Sequence, residues 1–314
     1  MKIAVTGATG FVGGAVCRAA AEQGHAVLAF GRRPRVEPKH VADAPYESWD
    51  IGHWPLAVPA VDAVVHCAGM AAEWGSRGDF HTANVLGTVN VLDSFRDAGR
   101  VVHISTASVY DPTRPTARAR EDAALTRRRG DHYGASKRLA EDVVRHERPD
   151  AVILRPHAVY GPGDTTLLPR VLRSIRPGPG GPRLFAVGDG RQPLSLTGIG
   201  NLTRAVLSAV AGEAGGTFNI ADAAPVVLDT VLREVLDAKA PGTAIRYLPL
   251  PVADALAVAA ESAHRALRRR TPPPITRYAV LHLAYERTLN TDKARAQLGY
   301  RPTATDLGPA LADS

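Results

Sequence analysis

The chain has 314 residues, 45% of them hydrophobic and 22% charged, with a formal net charge of +7. That length supports one substantial core with a smaller second lobe and excludes a string of independent domains. Cys17 and Cys67 lie far apart within apolar stretches, so neither a disulfide framework nor a metal-ligand cluster is expected, and a reducing, cytoplasmic setting fits. The 38 basic residues include only five lysines and form no basic helix interleaved with aromatics, so the charge reads as compositional bias rather than a nucleic-acid footprint.

Met1-Lys2 leads directly into Ile3-Ala4-Val5 and a glycine turn, a start that leaves no room for a secretory signal. Short apolar runs at 2–5, 26–30, 63–66, 101–104 and 151–154 read as strands, and the patterns at 13–23, 80–98 and 133–148 read as helices. Strands alternating with helices predict an α/β fold, a doubly wound parallel sheet with ligands at the carboxyl ends of its strands. After Gly161 the texture changes: the run Pro177-Gly178-Pro179-Gly180-Gly181-Pro182 is a loop, and Thr271-Pro272-Pro273-Pro274 breaks the chain again. We assign 1–160 and 191–220 to the dinucleotide-binding domain, and 161–190 and 221–314 to a smaller, mostly α substrate lobe. The most lipid-like stretch, 252–260, is interrupted by Asp254 and is too short to span a bilayer. It reads as a surface-packed helix, for which weak membrane affinity is one reading.

Between the first strand and the first helix lies Gly7-Ala8-Thr9-Gly10-Phe11-Val12-Gly13. Glycines at this place allow a tight turn and let backbone N–H groups at the positive end of a helix approach a pyrophosphate. The second strand ends at Phe30-Gly31-Arg32-Arg33, where an NAD enzyme commonly places a carboxylate for the ribose 2′-hydroxyl. An arginine there can instead pair with a 2′-phosphate, so NADP(H) is preferred and NAD(H) remains open.

Tyr133-Gly134-Ala135-Ser136-Lys137 opens the next helix. Residues four apart share a helix face, so the Lys137 ammonium is expected near the Tyr133 phenol and the nicotinamide ribose. A phenol titrates near pH 10, and drawing it close to neutrality takes roughly 4 kcal/mol, for which a lysine and an oxidised nicotinamide have the right sign. The preceding strand ends in Ser105-Thr106-Ala107-Ser108, and Thr106 can hold a substrate oxygen while Tyr133 moves the proton. Ala107 and Ser108 are candidate substrate contacts.

These motifs resemble the extended short-chain dehydrogenase/reductase family along nearly the whole chain. The resemblance implies adenine contacts at Asp50-Ile51 and a turn beneath the cofactor at His66-Cys67-Ala68-Gly69. It further implies a supporting role for Asn84, and a segment beside the nicotinamide containing Pro156, His157 and Val159. Thr291-Asp292-Lys293-Ala294 with Leu298-Gly299-Tyr300 resembles the family's closing helix and turn. Trp74-Gly75, Arg155-Pro156-His157 and Thr276-Arg277-Tyr278 are most similar to the 3β-hydroxysteroid dehydrogenase-like branch, which includes reductases of 2-alkyl-3-oxo acids. Trp74 then borders the substrate pocket, and the family's four-helix contact implies a homodimer.

Ala107-Ser108 replaces the Asp-Glu pair of the family's sugar-nucleotide dehydratases, which makes water elimination unlikely on chemical grounds. Gly188-Asp189-Gly190-Arg191-Gln192 runs into Pro193-Leu194-Ser195-Leu196, a segment better suited to an apolar or acyl substrate than to the diphosphate of a nucleotide sugar. The expected activity is hydride transfer between nicotinamide and a ketone or secondary alcohol; the alternatives are a nucleotide-sugar epimerase and a cofactor-sensing protein. Arg114, Arg118, Arg120, Arg127, Arg128 and Arg129 form either a solvated loop or a grip for an acyl carrier or coenzyme A.

Overall fold

All five predicted strands are present, and two more join them, in a computed structural model that describes residues 1–126, 131–269 and 271–313. From edge to edge the sheet runs Gly216–Ile220, Val152–Pro156, Arg100–Ile104, Ala63–His66, Lys2–Thr6, Ala26–Gly31 and Tyr46–Ser48. Every pairing is parallel; Val5, for example, lies opposite Ala29 on one side and Val65 on the other.

Alternation along each strand sends its side chains to two separate cores. Ile3 and Val5 meet Val16, Cys17 and Ala20 of the helix Phe11–Glu22, and Leu202, Ala205 and Val206 of the helix Ile199–Ala211. Ala4, Val64 and Val101 point the other way, onto Val91 and Leu92 of the helix Gly87–Ser94 and Val144 of the helix His132–Glu147. Strands covered on both faces read as continuous apolar runs, which is why they are legible in the sequence.

Two elements depart from the expectation. The helix predicted over 80–98 is divided into Arg77–His81, a π-helical turn at Thr82–Leu86, and Gly87–Ser94. Gly87 packs so closely on Ile51 that a Cβ there would lie 2.6 Å from its Cδ1. The closing segment, assigned above to the substrate lobe, instead returns to the parallel sheet. Ala294, Leu298 and Tyr300 join the core around Ile3, Lys293 Nζ donates to the Thr217 carbonyl at 2.9 Å, and the Tyr300 hydroxyl donates to the Ala221 carbonyl at 2.9 Å. Its apolar side chains cover the face beside the edge strand.

The lobe combines the helices Leu228–Lys239, Leu250–Ala266 and Arg277–Ala284 with a small sheet ordered Val226–Val227, Pro193–Leu194, Arg287–Leu289 and Thr116–Ala119, of which Pro193–Leu194 and Thr116–Ala119 come from the ranges assigned above to the dinucleotide-binding domain. It stands over the edge of the large sheet at which Thr6, Gly31, His66, Ile104 and Pro156 end their strands. The candidate residues follow those ends directly, as expected for ligand binding in a doubly wound fold.

Candidate active site

At the first of these ends, Gly7 has φ +70°, and a Cβ on it would meet the Ala68 amide nitrogen at 2.7 Å. A Cβ on Gly13 would reach the Gly7 carbonyl oxygen at 2.2 Å. Only glycine lets turn, helix and neighbouring loop close this tightly. The helix Phe11–Glu22 starts at Gly10 with no side-chain cap, which leaves the N–H groups of its first turn, among them those of Phe11 and Val12, for an anion. Thr9 lies against Gly31, where a Cβ would stand 2.9 Å from Thr9 Cγ2. His40, which the sequence reading did not single out, covers Gly14 and places Nε2 3.2 Å from the Gly10 carbonyl oxygen.

Arg32 and Arg33 are exposed immediately beyond Gly31. The Tyr46 hydroxyl shapes that turn by bonding the carbonyls of Gly31, at 2.8 Å, and Arg33. Asp50 Oδ1 accepts the Gly52 N–H at 3.0 Å, and Ile51 is buried, with its carbonyl held by Asn90 Nδ2 at 2.7 Å.

At the centre of the edge, Asp131 caps the helix His132–Glu147 by accepting the Gly134 N–H at 2.9 Å. A Cβ on Gly134 would lie 2.3 Å from the Ser108 carbonyl oxygen, so glycine at this position brings Tyr133 against the turn carrying Thr106. The Thr106 hydroxyl faces the Tyr133 phenol and favours its ionised form. Thr106 Oγ1 bonds Ser108 Oγ at 3.2 Å, and Ser108 Oγ bonds the Tyr278 hydroxyl at 2.9 Å. Three bonded hydroxyls thus run from the turn facing Tyr133 to the helix Arg277–Ala284. Sequence reading named Tyr278 only as a point of resemblance, because its partner lies 170 residues away.

Burial raises the Tyr133 phenol above its ordinary range; the Thr106 hydroxyl and Arg170 oppose this incompletely, and Asp131 adds to it. Lys137 is not among the groups that shift the phenol in the protein alone. Lys137 Nζ donates to the Ile104 carbonyl at 2.6 Å and stands 3.3 Å from His103 Nε2, turned into the sheet edge instead of onto the phenol. Burial lowers its own pKa to about 8, against the opposing influence of Glu141 and Cys67.

Beneath Lys137 lies a polar cluster that the motifs did not reveal. The rings of His66 and His103 are 5.0 Å apart. His66 Nδ1 bonds Thr6 Oγ1 at 2.8 Å and Nε2 bonds Thr88 Oγ1 at 3.0 Å. Thr88 gives its only hydroxyl proton to the Asn84 carbonyl at 2.7 Å, so His66 must carry its proton on Nε2. Burial lowers the His66 pKa to about 3, and the Lys137 charge acts in the same direction. The Cys67 thiol is pushed up by burial, which makes it an inert neighbour and not a nucleophile. Asn84 works as a joint: Nδ2 donates to Ser136 Oγ at 2.8 Å and the Met70 carbonyl at 3.1 Å, while Oδ1 accepts the Met70 N–H at 2.7 Å. Gly69 passes beside it, and a Cβ there would meet Asn84 Oδ1 at 2.8 Å.

Beyond Pro156, which pairs with Ile220, His157 Nδ1 donates to the Ser195 carbonyl at 2.6 Å, and Val159 pairs with Thr197. Burial lowers the His157 pKa and keeps the ring neutral. His157 and Ala107 line a cavity of about 10 Å³ together with His282 and Arg287. A far larger cavity, about 1030 Å³, opens over Tyr133. Trp74, Phe80, Tyr278 and Leu281 give it an aromatic and aliphatic wall. Its arginines are Arg265, Arg268, Arg269 and Arg277, not those of the 114–129 segment. Arg114 pairs with Asp111 at 3.1 Å, Arg118 approaches Asp292 at 4.0 Å and Arg120 is exposed; Arg127, Arg128 and Arg129 lie outside the described residues.

Residues 3–221 match the NAD dependent epimerase/dehydratase family. The chain is an extended short-chain dehydrogenase/reductase. Over 320 aligned residues the enzyme is 33% identical to a 2-alkyl-3-oxoalkanoate reductase of Stenotrophomonas maltophilia, covering 96% of this chain and 95% of that one. It is 31% identical over 323 residues to the 4-hydroxy-2-methyl-3-oxo-4-farnesyl-3,4-dihydroquinoline-1-oxide ketoreductase of Stigmatella aurantiaca, covering 97% and 93%. Its fold matches that of UDP-glucuronic acid 4-epimerase from Bacillus cereus, solved in complex with NAD, with a TM-score of 0.74, 21% identity, and coverage of 100% and 97%. The enzyme is accordingly an oxidoreductase, and the residues of its first turn fit a dinucleotide: an uncapped helix start, a left-handed Gly7 and close glycine packing provide the cradle a pyrophosphate needs.

Proposed function

We propose that this oxidoreductase is an NADP(H)-dependent ketoreductase acting on a ketone, or the corresponding secondary alcohol, of a lipophilic or acyl substrate. The observation that carries the reading is the Tyr133 phenol, on the wall of the large aromatic cavity with the Thr106 hydroxyl acting on it. A phenol raised above its usual range is protonated at neutral pH, which suits a general acid in carbonyl reduction. The bound dinucleotide supplies the hydride. Tyr133 gives its proton to the carbonyl oxygen as negative charge develops there, Thr106 steadies both oxygens, and the cavity excludes water from the reacting carbon.

Arg32 and Arg33 support NADP(H), since no acid follows the second strand to repel a 2′-phosphate. The two relatives named above, a 2-alkyl-3-oxoalkanoate reductase and a ketoreductase of a farnesyl-bearing quinoline oxide, support a lipophilic ketone. A homodimer goes with this reading: Leu86 and Leu139, on the helical layer containing Asn84 and Lys137, are both exposed. The unpaired cysteines go with the cytoplasm.

The test is NADPH and NADH oxidation against 2-alkyl-3-oxo acids, their coenzyme A and carrier-protein thioesters, and 3-ketosteroids, with UDP-sugars as the contrasting panel. NADPH-dependent reduction of the ketones is expected, and Tyr133→Phe should lower kcat by about 10²–10⁴-fold. Isomerisation of a UDP-sugar without net cofactor turnover would replace this reading with an epimerase.

A further inference from the structure

The helix Leu250–Ala266 uses few of its residues to hold itself in place. Ala253, Ala257 and Glu261 are buried, one turn apart, and the two alanines pack with Val187 and Val280. The outward side is unlike an ordinary solvated helix, because no exposed position from 251 to 263 is charged. Val252 and Leu256 are 47% and 50% exposed, and Leu267, just past the helix end, is 63% exposed. With Ala259 and Ala263 they form a stripe along one face, at the spacing of an amphipathic helix whose apolar side has been turned outward.

The far end of that stripe is basic. Arg265, Arg268 and Arg269 are all exposed; Arg265 pairs with Glu261 at 2.9 Å and lies over the Trp74 ring, while Arg268 and Arg269 form no ion pair among the described residues. The same helix walls the large cavity through Val258, Ser262 and Arg265, and Arg268 and Arg269, just past its end, line the cavity as well. Apolar stripe, free guanidinium groups and cavity wall therefore belong to one element.

We propose that this face docks on the surface of an anionic lipid bilayer, with Val252, Leu256 and Leu267 in the boundary between headgroups and acyl chains and Arg268 and Arg269 among the lipid phosphates. Exposed apolar area supplies the insertion, and the arginines supply attraction to negative headgroups. No helix among the described residues is long and apolar enough to cross a membrane, so the contact is with the surface. Docking would set the cavity beside the lipid phase, where a ketone on a long alkyl chain partitions. The proposal extends the lipophilic-substrate reading, yet vesicle binding is measured without turnover, so either can fail while the other stands.

The experiment is flotation of the full-length protein with vesicles of equal parts phosphatidylglycerol and phosphatidylcholine, and with phosphatidylcholine alone. Binding is expected to the anionic vesicles, to weaken as salt is raised, and to fall about 30-fold in the Arg268→Ala/Arg269→Ala variant. Val252→Asp/Leu256→Asp should remove it, with NADPH binding and unfolding temperature retained as evidence of folding. No flotation on anionic vesicles, or equal binding to both kinds, would overturn the proposal. So would a concentration-dependent oligomer dissolved by Val252→Asp/Leu256→Asp in the absence of vesicle binding, which would assign the face to a second copy of the chain.

Discussion

The Ser108 hydroxyl bonds the Tyr278 phenol at 2.9 Å, joining the turn after a central strand to the helix Arg277–Ala284 of the smaller lobe. Because Ser108 also bonds Thr106, whose hydroxyl acts on the Tyr133 phenol, Tyr278 supplies the last hydroxyl of a series that starts at the proposed acid. The ring of Tyr278 also packs edge-on to that of Tyr133, with centroids 6.2 Å apart.

Tyr278→Phe keeps the ring and removes the end of that series, leaving Ser108 without its partner. We expect kcat to fall about tenfold, or about 1.4 kcal/mol, with KM changing less. In the Tyr133→Phe background the same change should add almost nothing, because both act on one proton. Steady-state kinetics of the two single variants and the double variant check this; full additivity would make Tyr278 an independent packing residue.

Arg32→Ala and Arg33→Ala are expected to raise KM for NADPH by about tenfold or more while leaving NADH nearly unchanged, as loss of a charge-assisted bond to a 2′-phosphate requires. Parallel titrations of the two cofactors make the measurement. Equal losses for both would place these arginines on the shared part of the dinucleotide.

Glu141 and Arg155 form a buried ion pair at 2.7 Å, with side chains 0% and 2% exposed. Burial disfavours the Arg155 charge, but its bonds to Glu141 outweigh that and raise its pKa. Ser105 Oγ and Arg145 complete the satisfaction of the carboxylate, at 2.6 Å each. Glu141→Gln leaves a buried guanidinium uncompensated, so unfolding free energy should fall by about 3–5 kcal/mol in denaturant titrations.

His66 makes a pH prediction with a definite sign. Its pKa is about 3 in the folded chain, against an ordinary value of 6.5, so between those values the unfolded chain binds the extra proton and stability falls as pH falls. The contribution is fully present above pH 6.5 and amounts to on the order of 5 kcal/mol across the window. His103, His157 and His282 are displaced the same way by burial and steepen the acid limb. Denaturant titrations from pH 7 to 4 should show His66→Gln losing about 1.4 kcal/mol per pH unit less than the parent chain.

The glycine turn and the Tyr133–Lys137 pair were legible because each needs particular residue types at fixed local spacing. Gly7 must adopt positive φ, Gly13 must admit the Gly7 carbonyl, and Tyr133 and Lys137 are one helical turn apart. The strands Tyr46–Ser48 and Gly216–Ile220 escaped notice: one has three residues, and the other begins at a glycine and gains its identity by pairing with Val152–Pro156. The π-helical turn at Thr82–Leu86 was equally hidden, since the apolar pattern continues through it and only the contacts of Asn84 and Gly87 single it out.

By itself, then, the sequence determined the alternation of strands and helices, the tight glycine turn and the one-turn spacing of Tyr133 and Lys137, all consequences of periodicity and backbone sterics within a few residues. Tertiary structure alone decided where the Lys137 ammonium points, that Ser108 meets Tyr278, which hydroxyls hold the His66 ring, that 292–300 packs onto the large sheet, and that one helix turns its apolar side outward. Those outcomes depend on burial and on hydrogen bonds between segments up to 170 residues apart, as with Ser108 and Tyr278, and the energies of such contacts leave no periodic mark on the chain.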